Sequence, residues 1–169
     1  MPSTPKVRRI EVEDLPIVRD LAMIIWPRLY RNVVSPVQMD AILSHLFDLD
    51  TLEDDMETRG HVYWVAEING RPVGFLSAEG HDAQVNIHKV YVLEDYRGGG
   101  IGKAMMQAAL DHFADARTLS LIVPKDHDHG IGFSLKSGFS FDREEPTRVG
   151  GYDLTNYIMR KDLTPAAVS

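Results

Sequence analysis

VNIHKVYVLEDYRGGGIGKAMMQAALDHF, residues 85–113, contains a strand, a tight glycine turn and a helix in immediate succession. In an extended segment Val85, Ile87, Lys89 and Tyr91 share one face, and Asn86, His88, Val90 and Val92 share the other. The apolar pattern stops after Val92, and Glu94, Asp95, Tyr96 and Arg97 lead into Gly98, Gly99 and Gly100. From Ile101 the apolar residues recur at helical spacing, at Met105, Ala108, Ala109 and Phe113. Glycines at a helix start leave backbone N–H groups uncovered, and the helix dipole favours negative charge there. With Arg97 and Lys103 beside it, this turn is suited to a diphosphate.

Two common phosphate motifs do not fit. G-x-G-x-x-G counted from Gly98 ends on Lys103, and G-x-x-x-x-G-K-[ST] ending on Lys103 and Ala104 begins on Arg97. The pattern present is R-x-x-G-x-G, formed by Arg97, Gly98, Gly99, Gly100, Ile101 and Gly102 directly after the strand ending in Val90, Tyr91 and Val92. This resembles the acetyl-CoA pyrophosphate loop of the GCN5-related N-acetyltransferase (GNAT) family.

Bulk properties narrow the class. At 169 residues the chain suits a single domain with one substantial core, with its folded part at about 7–161 and loose tails. No apolar run is long enough to span a membrane, and no charged-then-apolar leader opens the chain. Absence of cysteine excludes disulfides, thiolate metal sites and a cysteine nucleophile, and fits a cytoplasmic protein. A formal charge of −7 argues against general nucleic-acid binding and suits a cationic small substrate or basic peptide.

The remaining elements follow from periodicity and punctuation. Residues 7–12 form a first strand, and Glu13, Asp14, Leu15 and Pro16 start a helix with Leu15, Val18, Leu21, Ala22 and Ile25 inward. Pro27 ends or kinks it. Ser35 and Pro36 open a second helix that buries Val37, Ala41, Ile42, Leu43, Leu46 and Phe47. The acidic run 48–59 reads as a solvated helix-and-turn surface, or as an acidic mouth for an amine. Residues 61–68 and 72–79 form a hairpin about Asn69 and Gly70. Strand 84–93 and helix 101–114 lead to strand 118–123, parallel to the first because a helix joins them. A short helix at 130–137, a strand starting at 139–141, a turn at Gly150 and Gly151 and a last strand at 152–160 complete an α/β sheet with helices on both faces.

The resemblance covers roughly residues 7–161. It implies a GNAT-like α/β fold, a mixed and mostly antiparallel central sheet, with the parallel strands 85–93 and 118–123 splayed to hold the pantetheine arm of acetyl-CoA. On that implication Val90, Tyr91 and Val92 pair with the pantetheine amides, and Arg97, Gly98, Gly99, Gly100, Ile101, Gly102 and Lys103 hold the diphosphate. The second family motif, aromatic–Tyr–x–Lys–x–Gly–Phe, is met by Phe133, Lys136, Gly138 and Phe139, with Ser134 in place of the tyrosine. Its upstream asparagine falls on His127 and its alanine on Gly130. His127, Ser134 and Lys136 are therefore cofactor-side candidates. The tyrosine commonly protonates the leaving thiolate, for which serine is a poor substitute by pKa.

A protonated amine cannot attack a thioester until a base takes its proton. His88 is the first candidate: family members place a histidine or glutamate base near this point, and an imidazole titrates in the right range. Glu79 on the adjacent strand is the second. The candidates for thiolate protonation are Ser134, Tyr152, Tyr157 and solvent. The run Asp126, His127, Asp128 and His129 offers two histidines two apart, but the resemblance puts a loop beside CoA there, and no metal is expected. Trp26, Tyr30, Tyr63 and Trp64 read as core or as walls of an acceptor pocket. The resulting expectation is direct acetyl transfer from acetyl-CoA to a small amine such as a polyamine, or to a peptide or protein amine. The alternative from another class is a non-catalytic acyl-CoA-sensing domain; a longer acyl chain or an oxygen acceptor is a third reading. The resemblance leaves a homodimer open.

Overall fold

The computed structural model describes residues 4–163; the expected loose tails fall largely outside these. The chain runs β1 (Lys6–Arg9), α1 (Leu15–Leu29), α2 (Pro36–Leu46), α3 (Leu49–Glu57), β2 (Val62–Ile68), β3 (Arg71–His81) and β4 (Gln84–Val92). Then follow α4 (Ile101–His112), β5 (Thr118–Pro124), α5 (Asp128–Lys136), β6 (Ser140–Val149) and β7 (Tyr152–Asp162). The strands form a seven-stranded sheet in the order β1-β2-β3-β4-β5-β7-β6. Every neighbouring pair is antiparallel except β4 and β5, which α4 connects in parallel.

Two apolar layers enclose the sheet. On one face α1, α2 and α3 pack Trp26, Tyr30, Phe47 and Leu52 on Tyr63, Val65, Phe75 and Tyr91. On the other, α4 packs Ile101, Met105 and Ala109 on Leu76, Val85, Ile87, Leu119 and Leu121, with Phe133 of α5 alongside. Gly102 permits the close approach of α5 to α4, since a Cβ there would lie 2.9 Å from the Phe133 ring.

Several local expectations are corrected. The first strand ends at Arg9 rather than Val12, because Val12–Asp14 coils into a 3-10 turn capped reciprocally by Glu11 and Asp14. Helix α1 runs through Pro27 to Leu29, the proline lying near its C-terminal end. In α2 Val37 is 74% exposed and Met39 is buried instead. The acidic run forms α3, whose Leu52 and Asp55 point inward; Asp48, Asp50, Asp54 and Glu57 are exposed.

The correction that matters most for the site lies in β4. Ser77 pairs with Lys89 while the next residue, Ala78, pairs with Ile87, so His88 is an extra residue with no opposite number on β3. Such a bulge reverses the face alternation beyond it. Val85 and Ile87 therefore face α4, as Val90 and Val92 do after the bulge, whereas Tyr91 joins the α1–α3 layer. Lys89 goes with Tyr91, its ammonium over the Phe47 and Tyr63 rings.

Candidate functional site

Two features of β4 create a groove. Its ladder to β5 covers only Gln84 to Ile87, opposite Thr118 to Leu121. Beyond that point β4 stays with β3 and β5 stays with β7, so the parallel pair opens as a V. The resulting groove of about 290 Å3 is walled by Val90, Tyr91, Val92, Arg97, Gly98, Gly100, Ile101, Gly102 and Lys103 on the β4–α4 side. Ile122, Val123, His127, Phe133 and Lys136 form the opposite wall. Eleven of the thirteen residues expected on the cofactor side thus line one groove; Gly99 and Ser134 do not.

The mouth of the groove fits a diphosphate. Gly98 and Gly100 have φ of +81° and +79°, and a side chain on either would meet nothing within 4 Å, so the backbone there faces open space. Gly100 caps α4, whose first N–H groups have no partner within the helix. Arg97 and Lys103 supply positive charge beside them.

Two of the three departures in the second motif, His127 and Gly130, are coupled to each other. The His127 ring is 7% exposed and stacks on Tyr91, centroids 5.8 Å apart and planes 9° apart. Its Nδ1 would be 2.6 Å from a Cβ at residue 130, so the histidine requires Gly130. Burial, followed by the charges of Arg97 and His129, lowers the His127 pKa to about 4, which keeps the ring neutral near pH 7. Its buried Nε2 has no hydrogen-bond partner.

Ser134 is fully buried, and its hydroxyl donates to the Ile131 carbonyl at 2.7 Å. Ser134→Ala should cost about 1 kcal/mol of stability through that lost bond and leave the acetylation rate unchanged. Thermal melting and steady-state rates check both halves; a large rate loss would restore the serine as a proton donor. Tyr157 packs edge-on against Phe141, and Tyr152 against the α1–α3 layer. The His127 and His129 rings lie 6.3 Å apart, and no group of three or more His, Asp or Glu side chains suited to a metal is found among the described residues.

The two base candidates come together. His88 Nε2 lies 3.5 Å from Glu79 Oε1, a long contact, and both side chains are about one-quarter exposed. The same Glu79 oxygen accepts from Asn86 Nδ2 at 2.9 Å, and Asn86 Oδ1 accepts from Ser120 and Gln84. His61 of the segment entering β2 stacks on His88, centroids 4.4 Å apart. Burial, then the neighbouring Lys89 charge, lowers the His88 pKa against the opposing pull of Glu79. The Asn86 hydrogen bond holds the Glu79 pKa below the usual carboxylate value. A neutral imidazole beside a carboxylate can accept a proton, and the carboxylate stabilises the imidazolium that results.

His88 also lines a second cavity, of about 300 Å3, with Asn86, Ser120, Asp142, Glu145 and Arg160. Ile122 lines both this cavity and the splayed groove, so the two adjoin at the middle of β4 and β5. Sequence reasoning did not single out Asp55, His61, Asn86 or Lys89. A lysine between apolar strand residues was the available signal for Lys89, while the others depend on the bulge and on α3.

Residues 22–139 match the model of the Acetyltransferase (GNAT) family. A "Probable N-acetyltransferase" of Mycobacterium tuberculosis is 26% identical, with 83% of each chain covered. Among solved structures, a GCN5-related N-acetyltransferase of Rhodopseudomonas palustris superposes with a TM-score of 0.80 at 25% identity, covering 96% of this chain and 98% of that one. The PaiA N-acetyltransferase of Thermoplasma acidophilum in complex with coenzyme A is similar in fold, with a TM-score of 0.78 at 18% identity, covering 95% and 99% of the two chains.

Proposed function

The chain belongs to the GNAT acetyltransferase family, and from that premise we propose direct acetyl transfer from acetyl-CoA to a primary amine, with His88 as the base and Glu79 as its orienting carboxylate. The observation that carries this reading is the meeting of two cavities at Ile122, one with a diphosphate seat at its mouth and one with His88 in its wall. Arg97, Lys103 and the N–H groups from Gly98 onward hold the diphosphate, and the part of β4 that has left β5 faces the pantetheine arm. Acetyl-CoA supplies an activated acetyl thioester. His88 takes the proton of the incoming ammonium, and Glu79 accepts a hydrogen bond from the other side of the ring and balances the positive charge formed. With no cysteine in the chain, attack by the amine itself needs no thiol nucleophile of the protein. When the C–N bond has formed the C–S bond breaks, the second proton of the nitrogen leaves to solvent, and the departing thiolate takes a proton from solvent.

The acceptor enters through the His88 cavity. Its lining combines Ser120, Asn86, Asp142 and Glu145 with Arg143 and Arg160, and Arg143 pairs with both carboxylates; such a mixed polar wall suits the amine of a peptide better than a polyamine. The test is CoA thiol release from acetyl-CoA with polyamines, amino acids, arylalkylamines, aminoglycosides and a basic peptide. Turnover is expected with at least one polar class. Tight acetyl-CoA binding with no turnover on any amine, peptides included, would favour a sensing domain instead.

A further inference from the structure

Lys89 follows the base candidate in sequence and sits where a lysine is costly. Its Nζ donates to Asp55 Oδ2 at 3.3 Å and to the Tyr63 hydroxyl oxygen at 2.9 Å, and it lies 5.3 Å from the Tyr63 ring centroid and 5.8 Å from that of Phe47. Tyr63 in turn donates to the same Asp55 oxygen at 3.0 Å. Burial lowers the Lys89 pKa, while the charge of Asp55 and the hydrogen bond to it oppose that shift, and with the phenol and two aromatic faces around it they favour the ammonium form. A buried charge is tolerated when it is paired and hydrogen-bonded, and removing one partner strands the other.

This pairing depends on the bulge. In a regular strand Lys89 would share the face of Val85 and Ile87 and point at Ile101, Met105 and Leu121, where the layer is apolar. The extra residue at 88 turns Lys89 to the opposite face, where α3 brings Asp55. The ion pair thus favours the bulged register over the regular one. The bulged residue is His88 itself, turned toward Glu79 and His61.

We infer that Lys89 is a positioning residue for the base: its ammonium, held between Asp55 and Tyr63, stabilises the bulge that presents His88 and places a positive charge next to that residue. The inference rests on the reading of His88 given above. The charged and titratable groups around the pair are Asp55 and Arg59 from α3 and the turn after it, His61 and Tyr63 from β2 and its approach, and Glu79 from β3. Lys89 acts on His88 as a like charge and disfavours the imidazolium, while Asp55 and Glu79 act in the opposite sense. His61 remains neutral beside them, its pKa lowered to about 4 by burial and then by the His88 charge.

The signs give a test that a merely structural role fails. Lys89→Met removes the positive neighbour, so the His88 pKa should rise and the acidic limb of kcat/KM should move to higher pH. Asp55→Asn removes the negative neighbour, so both should move to lower pH. NMR titration of the imidazole protons reads the His88 pKa directly, its resonance being assigned by its loss in His88→Gln. Opposite shifts in the two variants support the coupling; unmoved pKa values, or shifts of the same sign, overturn it. Should Lys89→Met not fold, Lys89→Gln, which keeps a hydrogen-bonding group between Asp55 and Tyr63 but no charge, is read in the same way: a raised His88 pKa supports the coupling, and an unmoved or lowered one overturns it. The kinetic limb separates this inference from the reading beneath it. If the NMR pKa values shift as stated and the rate profile does not follow, Lys89 tunes His88 but His88 is not the base.

Discussion

Replacing His88 by glutamine should lower kcat/KM for the amine by about 10²–10⁴-fold while leaving acetyl-CoA affinity in place. Glutamine keeps a polar group beside Glu79 and keeps the bulge, but cannot accept the amine proton. The effect has a pH signature. In the wild type the base works when neutral, so kcat/KM should rise with pH through the His88 pKa, which burial and Lys89 place below the ordinary imidazole value of about 6.5. The active form therefore survives to lower pH than an exposed histidine would allow. In His88→Gln that acidic limb should disappear, leaving the dependence set by the amine's own ionisation at about pH 10. Rates from pH 5 to 10 with a saturating cofactor check this; an unchanged limb in the variant would move the base assignment elsewhere, with Glu79 next in line.

Gly100→Val should weaken acetyl-CoA binding by roughly tenfold to a hundredfold, with the melting temperature falling only modestly. The φ of +79° is accessible to glycine and strained by about 1–2 kcal/mol for a β-branched residue. Either the strain persists, or the peptide rotates to negative φ and turns the first N–H groups of α4 away from the diphosphate. Because a Cβ at this position meets nothing within 4 Å, no core clash accounts for the loss. Calorimetric titration with acetyl-CoA and a thermal melt separate the two contributions. Unchanged affinity would show that the diphosphate sits elsewhere.

Much of the candidate cofactor groove was legible from the chain because its signals are local. A diphosphate seat at a helix start needs consecutive glycines, a flanking arginine and a strand just before it, all within 90–103. Its second wall was legible through Phe133 and Lys136, and two of the three departures there, at His127 and Gly130, have a local cause: the ring occupies the space of the missing Cβ. Ser134 was placed by pattern alone, and the pattern carries no information on which way the side chain points; it points to the Ile131 carbonyl.

The two base candidates were legible as separate residues, not as a pair. Glu79 and His88 are nine positions apart, and their contact depends on how β3 and β4 register. The acidic run 48–59 shows the same limit. Its charge density reads as a solvent face, and for Asp48, Asp50, Asp54 and Glu57 that is what it is. Asp55 differs because α3 lays one turn of its inner side over the sheet, next to a lysine that arrives from a distant strand.

The amino-acid sequence alone determined the order of the elements, the parallel pair implied by a connecting helix, and a glycine turn suited to an anion between β4 and α4, because periodicity, glycine conformation and helix dipoles act over a few residues. Tertiary structure decided the bulge at His88, and with it which face Lys89 and Tyr91 occupy. Alternation along an isolated strand is strictly two-fold, and one unpaired residue reverses it only when a neighbouring strand and a buried carboxylate make the reversed register the more stable one.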